Sequence, residues 1–259
     1  MNLKTLTTLA ASAAALACTA ALADGEASEY PETSVTFGGT LNDGNTEDES
    51  ANLAFDFKNV KDGYEYILGA NGTVTRTTTE NTVTDSEGNT STRKSKKTTA
   101  KNGELKGKVI IPVAEPFSAY FDASAFRDEI ADIDYRFMVG PGVVWDVVKT
   151  DDFGFALELG IAPMWEKTDG ETEYYTMLRL GERVEKKLGK GAKIWESVEY
   201  LPAIDDSDKY LVNAECGVES PLADNLSLHV TLKDKYNSLP ADGNEKNDVS
   251  LIVGVRVKL

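Results

Sequence analysis

The sequence predicts an all-β fold, namely a closed antiparallel transmembrane β-barrel of about twelve strands with up-and-down topology. Three observations lead to this prediction. Apolar and polar residues alternate through most of the chain, short and long connections alternate between the strands, and aromatic residues gather at both strand ends. A period of two is typical of strands with one apolar and one polar face.

The final segment, VSLIVGVRVKL, shows the alternation most clearly. Every second residue from Val249 to Leu259 is Val or Leu, and Ile252 is the one apolar residue on the other row. An edge strand needs a hydrogen-bonding partner on each side, and closing the sheet on itself supplies one. We therefore expect the last strand to pair with the first strand, at 33–41, as the seam of the barrel.

The earlier segments repeat this pattern in order. Their apolar or small residues on alternate positions begin at Val35, Ala51, Tyr64, Leu105, Phe117, Tyr135, Phe153, Tyr174, Tyr210 and Leu226. The segment from Ile194 to Leu201 is ambiguous, because Glu196 interrupts its apolar row. Together with the last strand these segments make about twelve, an even number, as in single-chain outer-membrane barrels.

The N-terminus predicts export. Lys4 precedes an apolar, Ala-rich run, and Ala21-Leu22-Ala23 stands before Asp24. These are the charged region, the apolar region and the cleavage site of a signal peptide. The expected organisation is a signal peptide at 1–23 and an outer-membrane β-barrel at 24–259.

Composition excludes some classes of protein. The net charge of −16 at pH 7 argues against nucleic acid as a partner, because nucleic-acid recognition begins with a basic surface. Only Cys216 remains after the predicted cleavage, so no internal disulfide is expected.

Alternation alone does not say which row faces outward. A soluble periplasmic barrel that binds an apolar ligand turns the apolar row inward, whereas a membrane barrel turns it toward lipid. Connection lengths favour the membrane barrel, since short turns are expected at 59–63, 112–116, 149–152, 188–191 and 221–225. Longer connections are expected at 42–50, 77–97, 127–134, 202–208 and 237–247, and only 167–172 is as short as a turn.

Aromatic residues favour the same choice, because they form two belts around a band of Val, Leu, Ile and Ala. Beside the short turns lie Phe55, Phe57, Tyr64, Tyr66, Phe117, Trp145, Phe153 and Phe155. Beside the longer connections lie Tyr135, Phe137, Trp165, Tyr174, Tyr200, Tyr210 and Tyr236.

Four stretches resemble a known family: GNTEDES at 44–50, RFMVGPGVVWDVV at 136–148, and the runs at 178–206 and 226–259, which include YNSLP. They are similar to the salt-induced outer-membrane protein family of Gram-negative bacteria, a domain of unknown function. The resemblance covers most of the chain after the signal peptide. It implies an outer-membrane β-barrel, supplies no catalytic residues, and places the protein in the outer membrane of a Gram-negative bacterium.

The polar rows supply candidate lumen-lining residues of both charge signs. These are Arg136, Asp146, Glu158, Arg179, Arg183, Glu215, His229, Lys233 and Arg256, with Glu185, Glu219 and Lys235 on the same rows. Opposite charges on neighbouring strands pair with each other, and about twelve strands leave only a narrow interior. We expect a closed or weakly conducting lumen and a structural, stress-related or narrow-channel role.

No enzyme, metal site or cofactor is predicted. His229 is the one histidine, and an outer-membrane hydrolase would need a Ser or Asp partner that spacing does not identify. The acidic Asp205, Asp206 and Asp208 lack the spaced ligands of a calcium loop, so solvation is the preferred interpretation. Expected partners are outer-membrane lipid, lipopolysaccharide and the barrel assembly machinery, with a basic cluster at 93–97 either contacting lipopolysaccharide phosphates or remaining solvated.

Overall fold

The structure is a computed structural model that describes residues 32–39, 41–42, 46–84, 90–241 and 243–259. The predicted signal peptide, 1–23, lies outside the described residues. Among the described residues, no helix has the length and hydropathy of a membrane-crossing segment.

The described part of the chain forms twelve main strands. They are β1 Glu32–Gly38, β2 Thr46–Lys61, β3 Tyr64–Thr84, β4 Thr90–Ala114, β5 Phe117–Asp128, β6 Ile133–Lys149, β7 Phe153–Thr168, β8 Glu171–Lys187, β9 Lys193–Pro202, β10 Tyr210–Ala223, β11 Leu226–Asn237 and β12 Asn247–Lys258. A two-residue strand, Leu41–Asn42, also pairs with β2, and a short 3₁₀ helix, Gly189–Gly191, lies between β8 and β9.

The sheet is closed. Each strand pairs antiparallel with the next one along the chain, and β1 pairs with both β2 and β12. At the seam Val35 lies opposite Val257 and Gly38 opposite Gly254. The predicted all-β barrel, its strand number and its seam are therefore confirmed.

The apolar rows face outward. Leu251 on β12 remains 58% exposed, whereas Thr36 and Arg179 on the polar rows are buried inside the barrel. A soluble barrel that encloses an apolar ligand requires the opposite arrangement. The fold therefore contradicts that alternative.

Strand β9 resolves the one ambiguous segment. Ile194 and Tyr200 are exposed on the outer surface, and Glu196 lies on their row. Trp195 and Glu199 point inward, where they bond Glu215 and Arg179. The outward row thus includes a carboxylate, which is why the apolar pattern is interrupted.

Two tight turns explain the shortest connections. Asp62 and Gly63 between β2 and β3 have φ of 54° and 82°, and Asp169 and Gly170 between β7 and β8 have φ of 52° and 79°. Asp-Gly is the preferred pair for a hairpin turn in which both central residues have positive φ. The turn at Asp169 is at the barrel end where the other connections are longer, and its Asp-Gly sequence explains why this connection is short.

The connection expected at 77–97 is mostly strand. Strands β3 and β4 stay paired out to Thr84 and Thr90, which lie opposite each other. Threonine-rich segments favour extended structure because β-branched side chains suit a pleated surface. The Thr-, Ser- and Lys-rich sequence of 75–101, with a turn expected near 86–89, predicts a hairpin, and the strand pairing confirms it. Residues 85–89 themselves lie outside the described residues.

Both aromatic belts are exposed on the outer surface. At the short-turn end the Phe117 and Trp145 rings lie 6.0 Å apart. At the other end the Trp165 ring lies 5.8 Å from Phe137 and 5.3 Å from Tyr174. These contacts join aromatic side chains of adjacent strands into continuous patches.

One side of the interior is filled. A buried apolar cluster inside β7 to β10 consists of Ala162, Met164, Met177, Leu201, Ala203 and Leu211. Tyr120 on β5 and Val144 on β6 are also buried. We call this region the filled side. Open space remains beneath the loops along β2 to β5, β11 and β12, and toward the short turns it also reaches β8, β9 and β10.

Candidate functional site: a charged lumen

Ion pairs cross the interior between strands that are not neighbours. Lys108 on β4 lies 2.6 Å from Glu158 on β7. Arg179 on β8 contacts Asp122 on β5, and it also lies 2.8 Å from Glu199 on the adjacent β9. A charge removed from water is costly unless it is paired, so these bonds allow charged rows to point inward.

Glycines on the inner surface make room for an aromatic ring beside these pairs. Tyr120 packs over Gly142 and Gly160, where any larger residue would meet its ring. Its other face receives the Lys108 ammonium, 4.2 Å from the ring centre. A cation over an aromatic face is electrostatically favourable, so Tyr120 joins the ion pairs to the filled side.

A buried triad closes the filled side at the end opposite the short turns. Glu166 on β7 is held by Arg136 of β6 and by Lys209, whose Nζ lies 3.1 Å away. Lys209 belongs to the loop between β9 and β10, which folds back so that Ile204 N–H donates to the Thr176 carbonyl oxygen. The triad therefore ties a loop to the barrel wall.

Sequence reasoning named Arg136 but missed Glu166 and Lys209. Glu166 lies on the same polar row as Glu158, so extending that row would have found it. Lys209 lies outside the strands, where alternation gives no signal.

Arg256 joins the seam to three other strands. Its guanidinium donates to Thr36 at 3.2 Å, to Glu219 at 2.9 Å and to Asp56 at 2.9 Å. These partners lie on β1, β10 and β2, so one side chain ties the first strands to the last ones.

His229 lies in the same region. Its Nε2 is 2.7 Å from Thr231 Oγ1, its Nδ1 is 3.9 Å from Glu219, and its ring stacks on Trp195 at 5.0 Å. Thr231 is only 2% exposed. The Glu219 carboxylate is bonded to Arg256, so the group is a packed polar network.

The other sequence candidates have different surroundings. Glu215 and Lys233 pair across β10 and β11 at 3.0 Å. Arg183 contacts Glu185 only at 3.9 Å, and Asp146 pairs at 3.4 Å with Lys149 at the turn. Asp146 thus belongs to the rim of the barrel, apart from the cross-lumen pairs.

Other inward charges, Glu104, Lys106 and Glu199 among them, were absent from the sequence candidates. Glu104 and Lys106 on β4 lie 3.2 Å apart, and Glu104 also lies 3.4 Å from Lys235 on β11. Glu199 bonds Arg179. Lys106 follows Leu105 and so lies on the polar row of β4. The alternation in this strand could therefore have identified it as an inward residue.

Three cavities occupy the part of the lumen that the buried side chains leave open. A lower cavity of about 350 Å³ lies toward the short turns, a middle one of about 320 Å³ follows, and an upper one of about 560 Å³ lies beneath the loops. Lys106, Arg183 and Glu215 line both the lower and middle cavities. Because Glu104 and Lys235 line both the middle and upper ones, the cavities adjoin along the barrel.

Loops narrow the upper cavity. Asn244, in the last loop, donates to Asp132 of the β5–β6 loop at 3.4 Å. In the β5–β6 loop, Glu129 accepts a hydrogen bond from Lys101 at 2.7 Å, and this contact holds the pKa of Glu129 below its usual value. The contact between Asn244 and Asp132 thus bridges two loops, whereas that between Glu129 and Lys101 joins a loop to β4.

The acidic loop has a local structural explanation. The backbone N–H of Asp208 donates to Asp206 Oδ1 at 3.0 Å, which forms an Asx turn. Among the described residues, no group of His, Cys, Asp and Glu side chains has the arrangement of a metal site.

The fold defines the class of protein. It is a closed β-barrel with a charged, partly filled lumen and an exposed apolar outer band. The chain belongs to the family described as "Protein of unknown function, DUF481", whose sequence profile matches residues 35–259. No curated protein matches the chain.

The chain is similar to several solved structures of membrane barrels. The NanC porin is 9% identical with a TM-score of 0.54, over 88% of this chain and 100% of that one. The KdgM porin is 11% identical with a TM-score of 0.48, over 87% and 99%. The transport unit of the autotransporter AIDA-I from Escherichia coli is 13% identical with a TM-score of 0.40, over 95% and 96%. At such identities the NanC likeness concerns the fold alone.

Proposed function

We propose that this protein is an outer-membrane β-barrel of a Gram-negative bacterium that forms a narrow, weakly conducting channel for small hydrophilic solutes and has no enzymatic activity. The adjoining cavities along the lumen carry this proposal. They are lined by charged and amide side chains, which suit water and ions.

The outer surface supports the membrane location. Its large exposed side chains are apolar, and aromatic rings flank the aliphatic band at both ends. Bilayers favour this order, because aromatic rings prefer the headgroup level and aliphatic side chains prefer the hydrocarbon. We further propose outer-membrane lipid and the barrel assembly machinery as partners.

Lipopolysaccharide is the proposed contact of the projecting hairpin. Lys97 of β4 is exposed, while Lys96 beside it pairs with Glu49 at 3.0 Å. Lysine side chains on this hairpin, at the end of the barrel with the longer connections, attract phosphate groups. Induction by salt, which the family resemblance suggested, remains part of the stress-related role that we propose.

The filled side explains why conduction should be weak. Buried side chains of β5 to β10 occupy part of the interior, so solutes have only the adjoining cavities left. Twelve strands also enclose less space than the sixteen or so of open porins. We therefore expect small, ion-sized conductance steps.

A hydrolase has less support. His229 has Thr231 as its hydroxyl neighbour, but that hydroxyl is buried and Glu219 is engaged by Arg256. A nucleophile must reach its substrate and be activated by an oriented base. Replacing His229 by Ala should therefore change no hydrolytic activity of purified protein toward ester or peptide substrates.

Two measurements test the channel. Membrane fractionation should recover the protein in the outer membrane, with heat-modifiable mobility on unboiled gels. Purified protein in planar bilayers should then give small conductance steps. Recovery as a freely soluble periplasmic protein, or the absence of conductance steps from correctly folded protein, would contradict the proposal.

A further inference from the structure

In two ion pairs of the lumen the cation is more exposed than the carboxylate beside it. The Lys106 side chain is 60% exposed, whereas that of its partner Glu104 is 13% exposed. The Arg183 side chain is 58% exposed against 33% for Glu185. Both cations therefore present donors to the cavity water, while the carboxylates lie closer to the wall.

Lys106 and Arg183 lie at the same junction. They are on β4 and β8, and each lines both the lower and the middle cavity. A solute that passes between these two cavities meets both side chains. The junction thus places an ammonium and a guanidinium around one water-filled space.

Arg183 has unused hydrogen-bonding capacity. Within the described part of the chain, its guanidinium has one contact with a carboxylate, Glu185 at 3.9 Å, which is beyond hydrogen-bond distance. A guanidinium carries five N–H donors in a planar fork that matches carboxylates and phosphates. Arg179, in contrast, is buried with Asp122 and Glu199.

We infer that Lys106 and Arg183 form a binding site for small anions at the junction of the lower and middle cavities. The inference rests on the proposed function, because ions must enter the lumen to reach the site. It adds a charge preference to that function. Glu215 lies at the same junction, but Lys233 lies 3.0 Å from it and partly neutralises it. Asp56 in the lower cavity is likewise bonded by Arg256, at 2.9 Å.

Trp195 provides an internal reporter. It lines the lower cavity, and its strand neighbour Ser197 lies directly opposite Arg183. The protein has three tryptophans, and Trp145 and Trp165 lie on the outer surface. Replacing those two by Phe leaves Trp195 as the one source of tryptophan fluorescence.

Iodide and acrylamide quenching of this reporter tests the site at constant ionic strength. Arg183→Gln should lower the iodide quenching constant about two- to threefold, the effect of one unit charge roughly 8 Å away in a mostly aqueous space. Acrylamide quenching should not change, because acrylamide is neutral. Glu185→Gln should raise iodide quenching, since it removes the opposing carboxylate.

Lys186→Gln is the matched control. Lys186 is the third residue after Arg183 on β8 and is exposed on the outward row, opposite Ile194. It removes the same charge from the outside of the barrel and should leave iodide quenching unchanged. Equal effects of Arg183→Gln and Lys186→Gln would overturn the inference.

Bilayer recordings separate this inference from the channel itself. In a potassium chloride gradient, Arg183→Gln and Lys106→Gln should both shift the reversal potential toward cation preference. Conductance without that shift would overturn the anion site and leave the channel standing. The expected quenching pattern without any conductance would support the anion site and contradict the channel.

Discussion

The Lys108 ammonium lies 2.6 Å from the Glu158 carboxylate although two strands separate β4 from β7. The pair therefore spans the interior. It lies beside the Tyr120 ring, where the filled side meets the cavities. Much of the rigidity of the barrel should depend on such contacts.

Lys108→Met should lower the free energy of unfolding by about 1–3 kcal/mol, less than for a fully buried pair because lumen water reaches both groups. Urea unfolding of protein refolded in lipid vesicles measures this. Lys149→Met is the control, since its exposed side chain lies 3.4 Å from Asp146 at the rim. A similar loss for both variants would show that the cross-lumen pair has no special role.

The outward row of β12 should be sensitive to depth. Val253 lies near the middle of the strand, so Val253→Arg should cost about 2–4 kcal/mol of stability in a bilayer. Val249→Arg, near the loop end of the strand, should lower the stability by only about 0–1 kcal/mol. Unfolding in vesicles compares the two, and equal costs would argue against burial of this face in hydrocarbon.

Strand β9 offers two carboxylates that should respond with opposite signs. Glu196 faces outward between Val184 and Cys216, whereas Glu199 faces inward and bonds Arg179 and Asn213. Glu196→Val should stabilise the barrel in a bilayer by about 1 kcal/mol, because it removes a charge from the apolar band.

Glu199→Val should destabilise the barrel, because it leaves Arg179 with only Asp122. Both variants can be compared by vesicle unfolding. If both destabilise the protein to the same extent, the assignment of inward and outward rows on β9 is wrong.

The contact between Glu129 and Lys101 should be visible as a pH effect. The hydrogen bond from Lys101 lowers the pKa of Glu129, so the contact is present above the ordinary carboxylate range and is lost as the pH falls through the lowered pKa. A carbon-detected NMR titration of Glu129 should give a midpoint below that of an ordinary glutamate. Lys101→Met should raise the midpoint toward the ordinary value, with Arg127 at 3.5 Å still lowering it slightly, and an unchanged midpoint would contradict the contact.

Alternation predicted most of the fold, and its exceptions show where it fails. The row from Val249 to Leu259 predicted the seam with β1 because a closed sheet has no free edge. The row of β9 stayed ambiguous, because an outward Glu196 and an inward Trp195 both break the usual pattern. Only the pairing of β9 with its neighbours assigns those two side chains.

The sequence predicted which types of side chain line the lumen but not which of them contact each other. Polar rows indicated charged side chains of both signs, among them Arg179, Glu215 and Arg256. Sequence spacing does not say which charges meet, because partners such as Lys108 and Glu158 are far apart in the chain. It also gives no account of Lys209, whose position depends on how a loop folds back.

The sequence by itself determined a closed barrel and its strand number, because period-two alternation and turn residues act locally, and connection lengths with the aromatic belts determined its outward apolar face. Only the tertiary structure decided which part of the lumen is filled and which part stays open. That division depends on how inward side chains from distant strands pack, as Met164 and Met177 do against Leu201. It also places Lys106 and Arg183 at one junction, which no local pattern encodes.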